Sequence, residues 1–153
     1  MITVEQAVED ARRGENPAVV CRVPSGWVVL CNMQFLTGYC ILLPDPVVGS
    51  LNALEPAQRA SYLCDMALVG DALLKVTDAY RINYAIMGNS DPALHAHIIP
   101  RYLSEPEIQR KGLPWSYTQE EMDARGFDPE RDADLIRRLN AVVQAALAAQ
   151  QDQ

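Results

Sequence analysis

The spacing of apolar residues predicts three helices, near the beginning, the middle and the end of the chain. They cover residues 4–13, 56–79 and 128–149. Thr3 and Gln6 have the spacing of a capping box before the first helix, and Gly14 is suited to end it. Pro56 stands at the first position of the second helix, where the backbone amide would have no partner within the helix. Asp128 precedes the proline that opens the third helix.

Short apolar runs between turn residues predict five β-strands. These runs cover residues 17–23, 27–33, 38–44, 81–88 and 94–101. The turn residues at 24–26 join the first two strands as a hairpin. The order is helix, three strands, long helix, two strands, loop and helix. It predicts an α+β fold, in which an antiparallel sheet of about five strands packs under the long helix, rather than a doubly wound parallel sheet.

Helical spacing also predicts which side of the long helix is buried. The residues expected to line that side are Ala60, Leu63, Met66, Ala67 and Leu74. The carboxylates of Asp65 and Asp71 are expected to lie in solvent. After the strands, residues 103–117 contain two prolines and are expected to form a loop, and Thr118 with Glu121 has the spacing of another capping box.

Length and composition indicate one compact domain over residues 1–153. No apolar run approaches 18 residues and the first residues lack a signal-peptide pattern, so we expect a cytoplasmic protein without a membrane span. The 20 acidic and 13 basic residues give a net charge of −7. This charge disfavours nucleic acid as a partner. The four cysteines lack metal-finger spacing and are expected to be core residues.

Both histidines occur in one stretch, NSDPALHAHIIPRY, at residues 89–102. Because strand side chains alternate, Ala93, His95 and His97 share one face, which we expect to border a groove rather than core. Three interpretations are open: ordinary hydrogen-bonded histidines, a metal clamp, or a nucleophile with a neighbour. Zinc usually takes three or four protein ligands, and no third histidine exists.

Imidazole is a good nucleophile toward phosphorus and a good leaving group near neutral pH. The loop before the histidines could supply donors to an anionic phosphate. Gly88 permits close approach of the backbone, Asn89 has a side-chain amide, and Ser90 has a hydroxyl.

NSDPALHAHIIPR resembles the signature of the histidine-triad superfamily, which is three alternating histidines followed by two apolar residues and often Pro-Arg. His95 and His97 match the second and third histidines, and Ala93 stands in place of the first. Upstream, CNMQFLTGYCILLP resembles an early block of the family. There Asn32 matches a polar residue, and Tyr39 stands where histidine is usual. The resemblance spans roughly residues 17–102; residues 103–153 carry no motif of the family.

The resemblance implies a nucleotide hydrolase or transferase, acting on a dinucleoside polyphosphate such as a diadenosine polyphosphate, or on a nucleoside phosphoramidate. His95 would attack the α-phosphorus. His97 would hydrogen-bond a phosphate oxygen or protonate the leaving group. Asn32 would bind the ribose. The phosphate-holding residues would be Gly88, Asn89 and Ser90, and the base slot could involve Val28 or Met33.

The resemblance also implies a homodimer and no required cofactor or protein-bound metal, although Mg²⁺ could accompany a polyphosphate. Ala93 and Tyr39 depart from the family pattern. The backbone carbonyl of residue 93 survives any substitution and could still accept from Nδ1 of His95. A nucleotide-binding module with impaired catalysis is therefore the alternative to an enzyme.

Three other residues have two possible roles each. Arg101 could reach a distal phosphate, but pairing with Glu105 is favoured. Trp115 could cover the nucleotide, but fastening a loop to the body is the commoner role. Asn83 is expected to be structural, bonded to a neighbouring turn.

Overall fold

The strands assemble into one antiparallel sheet, described here from a computed structural model of residues 2–153. The strands are β1 (Val19–Val23), β2 (Gly26–Leu30), β3 (Cys40–Pro44), β4 (Arg81–Ala85) and β5 (Ala96–Arg101). Their spatial order is β1-β2-β3-β5-β4. Every neighbouring pair is antiparallel. The predicted α+β class and five-stranded sheet are confirmed.

Five α-helices and one short 3-10 helix (Leu51–Ala53) accompany the sheet within the described residues. The α-helices are α1 (Val4–Arg13), α2 (Pro56–Val76), α3 (Glu107–Lys111), α4 (Gln119–Asp123) and α5 (Ala133–Gln151). The predicted bounds of α1 are confirmed, and the Thr3 hydroxyl accepts from the amide of Gln6. The reciprocal half of that capping box is absent, because the Gln6 side chain donates to Asp10 instead. Thr118 and Glu121 do form the complete box before α4.

The main core lies between the sheet and the α2 and α5 helices. The α2 helix contacts β4 and β5, and α5 contacts both α2 and β1. Leu42 of β3 and Ala96 of β5 are opposite each other in the register and are completely buried in this core. Above them, the hydroxyl of Tyr62 on α2 donates to the Leu42 carbonyl at 2.8 Å. This bond fixes the long helix over the centre of the sheet.

The predicted buried side of α2 is wrong. Leu63 and Leu74 are 36% and 45% exposed, while the buried residues are Tyr62, Asp65, Leu68, Val69, Gly70, Ala72, Leu73 and Val76. Apolar residues occur on both sides of this helix, so spacing alone did not distinguish them. Asp65 is buried rather than solvated because its carboxylate accepts the Ser25 amide in the β1–β2 turn at 2.8 Å.

The C-terminal third packs on the sheet, and its elements differ from the prediction at two points. The expected loop contains the short helix α3, and α5 begins at Ala133 rather than at Asp128. Asp128 instead accepts two amides in a turn. Before α5, the amide of Phe127 donates to the Asn32 carbonyl at 2.8 Å, and the amide of Gln34 donates to the Arg125 carbonyl. The C-terminal third is thereby joined to the end of β2.

A second, smaller apolar cluster lies on the opposite face of the sheet. Its buried residues are Cys31, Leu36, Tyr39 and Ile99, and Trp115 and Tyr117 pack against them. Part of this face is therefore core, contrary to the expectation that it only borders a groove. Within residues 2–153, each helix is too short or too polar to cross a bilayer.

Candidate active site

The ring of His95 is oriented by the backbone of the residue two positions earlier. Nδ1 of His95 lies 2.8 Å from the Ala93 carbonyl oxygen. A carbonyl oxygen can only accept, so Nδ1 carries the proton and Nε2 keeps its lone pair. The contact expected for the carbonyl at position 93 is thus present, although Ala93 itself has no imidazole.

His97 is held by a residue of the loop directly before β3. The hydroxyl oxygen of Tyr39 lies 2.6 Å from Nδ1 of His97. His97 is opposite Ile41 on β3 and opposite Ala85 on β4. The Tyr39 hydroxyl therefore orients the ring, while the register with β3 and β4 sets the position of His97 in the sheet.

Tyr39 is itself fixed by a buried glutamine. The side-chain amide of Gln34 donates to the carbonyls of Cys31 and Tyr39 at 2.8 and 2.9 Å, and its oxygen accepts the Gly38 amide at 2.9 Å. Gly38 has a φ of 96°, a conformation that favours glycine. All hydrogen-bonding groups of the glutamine side chain face the loop before β3, so the loop holds one shape and Tyr39 one position.

Asp91 fixes the approach of the chain to His95. One carboxylate oxygen accepts the Val4 amide at the start of α1 at 2.8 Å, and the other accepts the Ala93 amide at 3.0 Å. The amide of the next residue, Leu94, donates to the Val48 carbonyl. The carbonyl that orients His95 therefore belongs to a segment tied to two distant parts of the chain.

The two imidazoles and an indole are in edge-to-face contact. The ring centroids of His95 and His97 are 5.0 Å apart, and those of His97 and Trp115 are 5.4 Å apart. Burial, and to a lesser extent the neighbouring His95, lower the pKa of His97 to about 4. His97 is therefore neutral at pH 7. Trp115 packs on the second cluster, as the favoured loop-fastening role requires, and it touches His97; that it covers a nucleotide stays a prediction.

The loop from Gly88 to Ser90 lies in the connection between β4 and β5. Because Ala85 is opposite His97, this connection is at the same end of the sheet as the histidines. Gly88 has a φ of 71°, as a tight turn requires, and the side chains of Asn89 and Ser90 are exposed. Their position is compatible with phosphate binding, and their role remains a prediction.

The residues predicted to meet the sugar and the base have different surroundings. Asn32 is exposed just beyond β2 and its side chain is free to meet a ligand, although its carbonyl is engaged by Phe127. Val28 has no exposed surface and belongs to the main core, so the suggestion that it lines a base slot is wrong. Met33 is partly buried against the second cluster.

Arg101 has the structural role favoured by the sequence. It is 2% exposed, donates to both oxygens of Glu105, and also bonds to Asn83 and to two backbone carbonyls. It has no surface left for a phosphate. Asn83 is structural as expected, but its partner is Arg101 on the adjacent strand rather than a turn.

Metal-binding side chains are not clustered in the part of the chain that the structure covers. Within residues 2–153, no three histidine, cysteine, aspartate or glutamate side chains are grouped so that they could hold an ion. Cys21, Cys31 and Cys40 are buried as expected, whereas Cys64 is exposed on α2. Burial raises the pKa of Cys21 to about 12, so that thiol is unreactive.

Sequence reasoning missed the contacts that support His97. The burial of Gln34 was not predicted, because a lone glutamine in a loop is usually solvated. The contact between Tyr39 and His97 joins residues 58 positions apart. The one available signal was that both occupy positions where the histidine-triad pattern has histidine.

The sheet order, the helices on one face and the histidine pair on the other define an α+β protein with a polar site at one end of the sheet. More specifically, this is the histidine-triad fold, because solved histidine-triad proteins superpose on most of the chain. The predicted resemblance is confirmed at the level of the fold. Neither a protein-family model nor a curated protein sequence matches the chain.

Three of these structures illustrate the likeness. A histidine triad protein from Sinorhizobium meliloti is 24% identical to this chain and superposes with a TM-score of 0.67. The superposition covers 84% of this chain and 91% of that chain. One from Marinobacter aquaeolei is 20% identical, with a TM-score of 0.70 and coverage of 83% and 88%. A hypothetical histidine triad nucleotide-binding protein from Sulfolobus tokodaii is 14% identical, with a TM-score of 0.70 and coverage of 92% of both chains.

Proposed function

We propose that the protein binds a nucleotide and cleaves it at the α-phosphorus through a nucleotidyl-histidine intermediate on His95. The observation that carries the proposal is the 2.8 Å contact between Nδ1 of His95 and the Ala93 carbonyl. It leaves Nε2 as a lone-pair nucleophile, which is the form that attacks phosphorus. The likeness of the fold to histidine-triad proteins, one of them described as nucleotide-binding, supports the same conclusion.

The reaction would proceed in two displacements. In the first, Nε2 of His95 bonds to the α-phosphorus, and the bond to the leaving group breaks. The ring then carries a positive charge, which the Ala93 carbonyl stabilises through the Nδ1 proton. In the second, water attacks phosphorus, the P–N bond breaks, and its electron pair returns to Nε2. A nucleoside monophosphate is released and a proton passes to solvent.

The remaining site residues would bind the substrate. In this proposal Gly88, Asn89 and Ser90 hold the phosphate, and Asn32 meets the ribose hydroxyls. His97 donates a hydrogen bond to a phosphate oxygen. Substrates with a P–O–P or a P–N bond both fit this outline. Mg²⁺ would enter with a polyphosphate, bound to its oxygens, as magnesium usually is.

The direct test is incubation with a dinucleoside polyphosphate and measurement of mononucleotide release. We expect His95→Ala to abolish release, because the variant has no nucleophile. Rapid acid-free quenching followed by mass spectrometry should show a nucleotide adduct on the wild-type peptide that contains His95. Turnover at the wild-type rate in His95→Ala would overturn the assignment.

A matched control separates loss of chemistry from loss of fold. His95→Gly leaves a cavity that free imidazole can enter, and we expect added imidazole to restore part of the release. The melting temperatures of both variants should stay close to that of the wild type, because His95 lies outside the main core. A folded variant that imidazole fails to rescue would argue against nucleophilic catalysis at this position.

The second candidate is a nucleotide-binding module without turnover. Ala93 favours it, since this position provides a carbonyl but no third imidazole. Calorimetry would then show binding of a nucleoside monophosphate, while no dinucleoside polyphosphate or phosphoramidate is cleaved. Detection of the covalent adduct on His95 would exclude this candidate.

A further inference from the structure

The short contact between Tyr39 and His97 has two possible hydrogen-bond directions. Either the tyrosine hydroxyl donates to Nδ1, or Nδ1–H donates to the hydroxyl oxygen. The two cases give the other ring nitrogen, Nε2, opposite hydrogen-bonding roles. In the first case Nε2 carries a hydrogen, and in the second it carries a lone pair. The direction therefore decides what His97 can do for a ligand.

Burial decides the direction. Tyr39 has no exposed surface, and no other nitrogen or oxygen among the described residues accepts from its hydroxyl. The indole N–H of Trp115 also lies near the hydroxyl, but it can only donate. If Nδ1 were the donor, the hydroxyl hydrogen would be left without an acceptor of comparable strength, which costs about 1–3 kcal/mol. The thiol of Cys31 also lies near the hydroxyl, but sulfur is a weak acceptor. Donation from Tyr39 to Nδ1 satisfies both groups.

The surroundings of His97 keep the ring uncharged. The titratable side chains against it are Tyr39, directly before β3, and His95, directly before β5, and the third neighbour, Trp115, carries no charge. Burial raises the pKa of Tyr39 well above its ordinary value, so its hydroxyl keeps its hydrogen. Because the pKa of His97 is about 4, an imidazolium that could transfer a proton is scarce at pH 7.

We infer that Tyr39 is a positioning residue that holds His97 as a neutral Nε2–H donor, so that the site selects substrates whose leaving group departs without taking a proton. The inference rests on the proposed function and narrows it. A phosphate or polyphosphate leaves as a stable anion, whereas an amine or an alkoxide requires a proton. Dinucleoside polyphosphates are thereby favoured over phosphoramidates.

The first displacement can be written without a proton from His97. The bond between Nε2 of His95 and phosphorus forms as the bond from phosphorus to the leaving oxygen breaks. The leaving oxygen keeps the electron pair of that bond and departs as an anion. Throughout, Nε2–H of His97 donates to a non-bridging oxygen of the α-phosphate, where charge accumulates.

The tautomer can be measured without any substrate. We expect ¹⁵N–¹H correlation spectra of labelled protein to show, for His97, a protonated Nε2 and an unprotonated Nδ1, with no titration between pH 5.5 and 8, a range chosen well above its pKa. In Tyr39→Phe the Nδ1 signal should shift toward the average for two exchanging tautomers. A protonated Nδ1 on wild-type His97 would overturn the inference, whatever the activity.

A leaving-group series tests the selectivity. Aryl esters of a nucleoside monophosphate share one nucleotidyl group, while the pKa of the departing phenol can be varied from about 7 to about 10, the value of an ordinary phenol. Without an acid, the rate should fall by roughly 10²-fold or more across the series, since general acid catalysis typically contributes 10²–10⁴-fold. The rate to follow is phenol release in a single turnover, because this rate reports the first displacement alone. A nearly constant rate of that step would show proton donation and overturn the inference.

Tyr62→Phe is the matched control for Tyr39→Phe. Tyr62 is also a fully buried tyrosine, but its hydroxyl donates to Leu42 under α2, in the main core. The Tyr62→Phe variant should change the stability of the protein without changing the ¹⁵N–¹H signals of His97. If no ester is cleaved at all, the proposed function fails, and the spectrum still decides the role of Tyr39.

Discussion

Arg101 and Glu105 form a buried ion pair beneath the segment that carries Trp115. Removing one member leaves the other charge buried and unpaired, which typically costs about 3–5 kcal/mol. We expect Arg101→Met to lower the free energy of unfolding by this amount, measured by urea denaturation. Lys111→Met is the control, because its ion pair with Glu107 is exposed and should contribute at most about 1 kcal/mol.

The same pair predicts a loss of stability in acid. Burial alone would raise the pKa of Glu105, but hydrogen bonds from Arg101, Tyr117 and the Tyr102 amide outweigh it and lower the pKa below 4.5. A carboxyl group whose folded pKa is lowered stabilises the fold above its unfolded pKa. That stability disappears as the pH falls through the folded value.

Urea denaturation across a pH series from 6 down to 3 would measure this dependence. Glu105→Gln should be less stable than the wild type at pH 6 and should show a flatter decline below pH 4.5. An unchanged slope in this variant would mean that other carboxylates account for the acid sensitivity.

At the level of residues, local contacts were predictable and distant ones were not. The bond between His95 and the Ala93 carbonyl spans only two positions of the chain, and the histidine-triad resemblance was enough to suggest it. The Tyr39–His97 bond depends on the register between β3 and β5. Register follows from how both faces of the sheet are buried, which a single chain pattern does not determine.

Two glycines lie at contacts between elements that differ in how well they would tolerate an added methyl group. A methyl group on Gly26 would lie 1.8 Å from the Leu43 carbonyl oxygen on the adjacent strand, and one on Gly70 would lie 1.9 Å from the Tyr84 hydroxyl. The first obstacle is backbone and cannot move without breaking the β2–β3 register. The second is the tip of a half-exposed side chain.

We expect Gly26→Ala to destabilise the protein by more than the 1–3 kcal/mol typical of overpacking. Gly70→Ala should cost less than about 1 kcal/mol, because the tyrosine can rotate away and alanine favours the helix by up to about 1 kcal/mol. Thermal unfolding of both variants would compare them. Equal losses would mean that Tyr84 is as rigid as the strand.

At the level of elements, the end of a helix was predicted accurately where one residue type strongly favours it, and less accurately where a residue can serve more than one purpose. Gly14 adopts the left-handed conformation that ends α1 where predicted. At the start of α5, Asp128 had the right chemistry for a cap but closes a turn, and Asp132 occupies the N-cap position. A carboxylate near a helix start can serve either purpose, and tertiary contacts choose between them.

The sheet has β4 as an outer strand, and an apolar surface adjoins it. Leu63 and Leu74 lie about three turns apart on the exposed side of α2. The hydroxyl of Tyr84 on β4 contacts Gly70 between them. The exposed side of α2 and the β4 edge therefore form one continuous surface, and we propose it as the contact of the homodimer that the histidine-triad resemblance implies.

Light scattering coupled to size exclusion would test the dimer. We expect Leu74→Lys to convert a dimer into a monomer, because an unpaired charge would be buried in the contact. Ile108→Lys is the control: Ile108 is 84% exposed on α3, a helix that is not part of the surface formed by α2 and β4, and its substitution should leave the mass unchanged. A monomeric wild type would contradict the proposal.

Asp91 has a practical consequence for anyone producing the protein. Because one of its oxygens holds the first amide of α1 and the other holds the Ala93 amide, the N-terminal helix and the His95 imidazole share an anchor. Removing residues 1–14 would free that carboxylate and loosen the carbonyl that orients His95. An affinity tag is therefore better placed away from α1, and a preparation with a ragged start would contain molecules in which the His95 ring is held to different degrees.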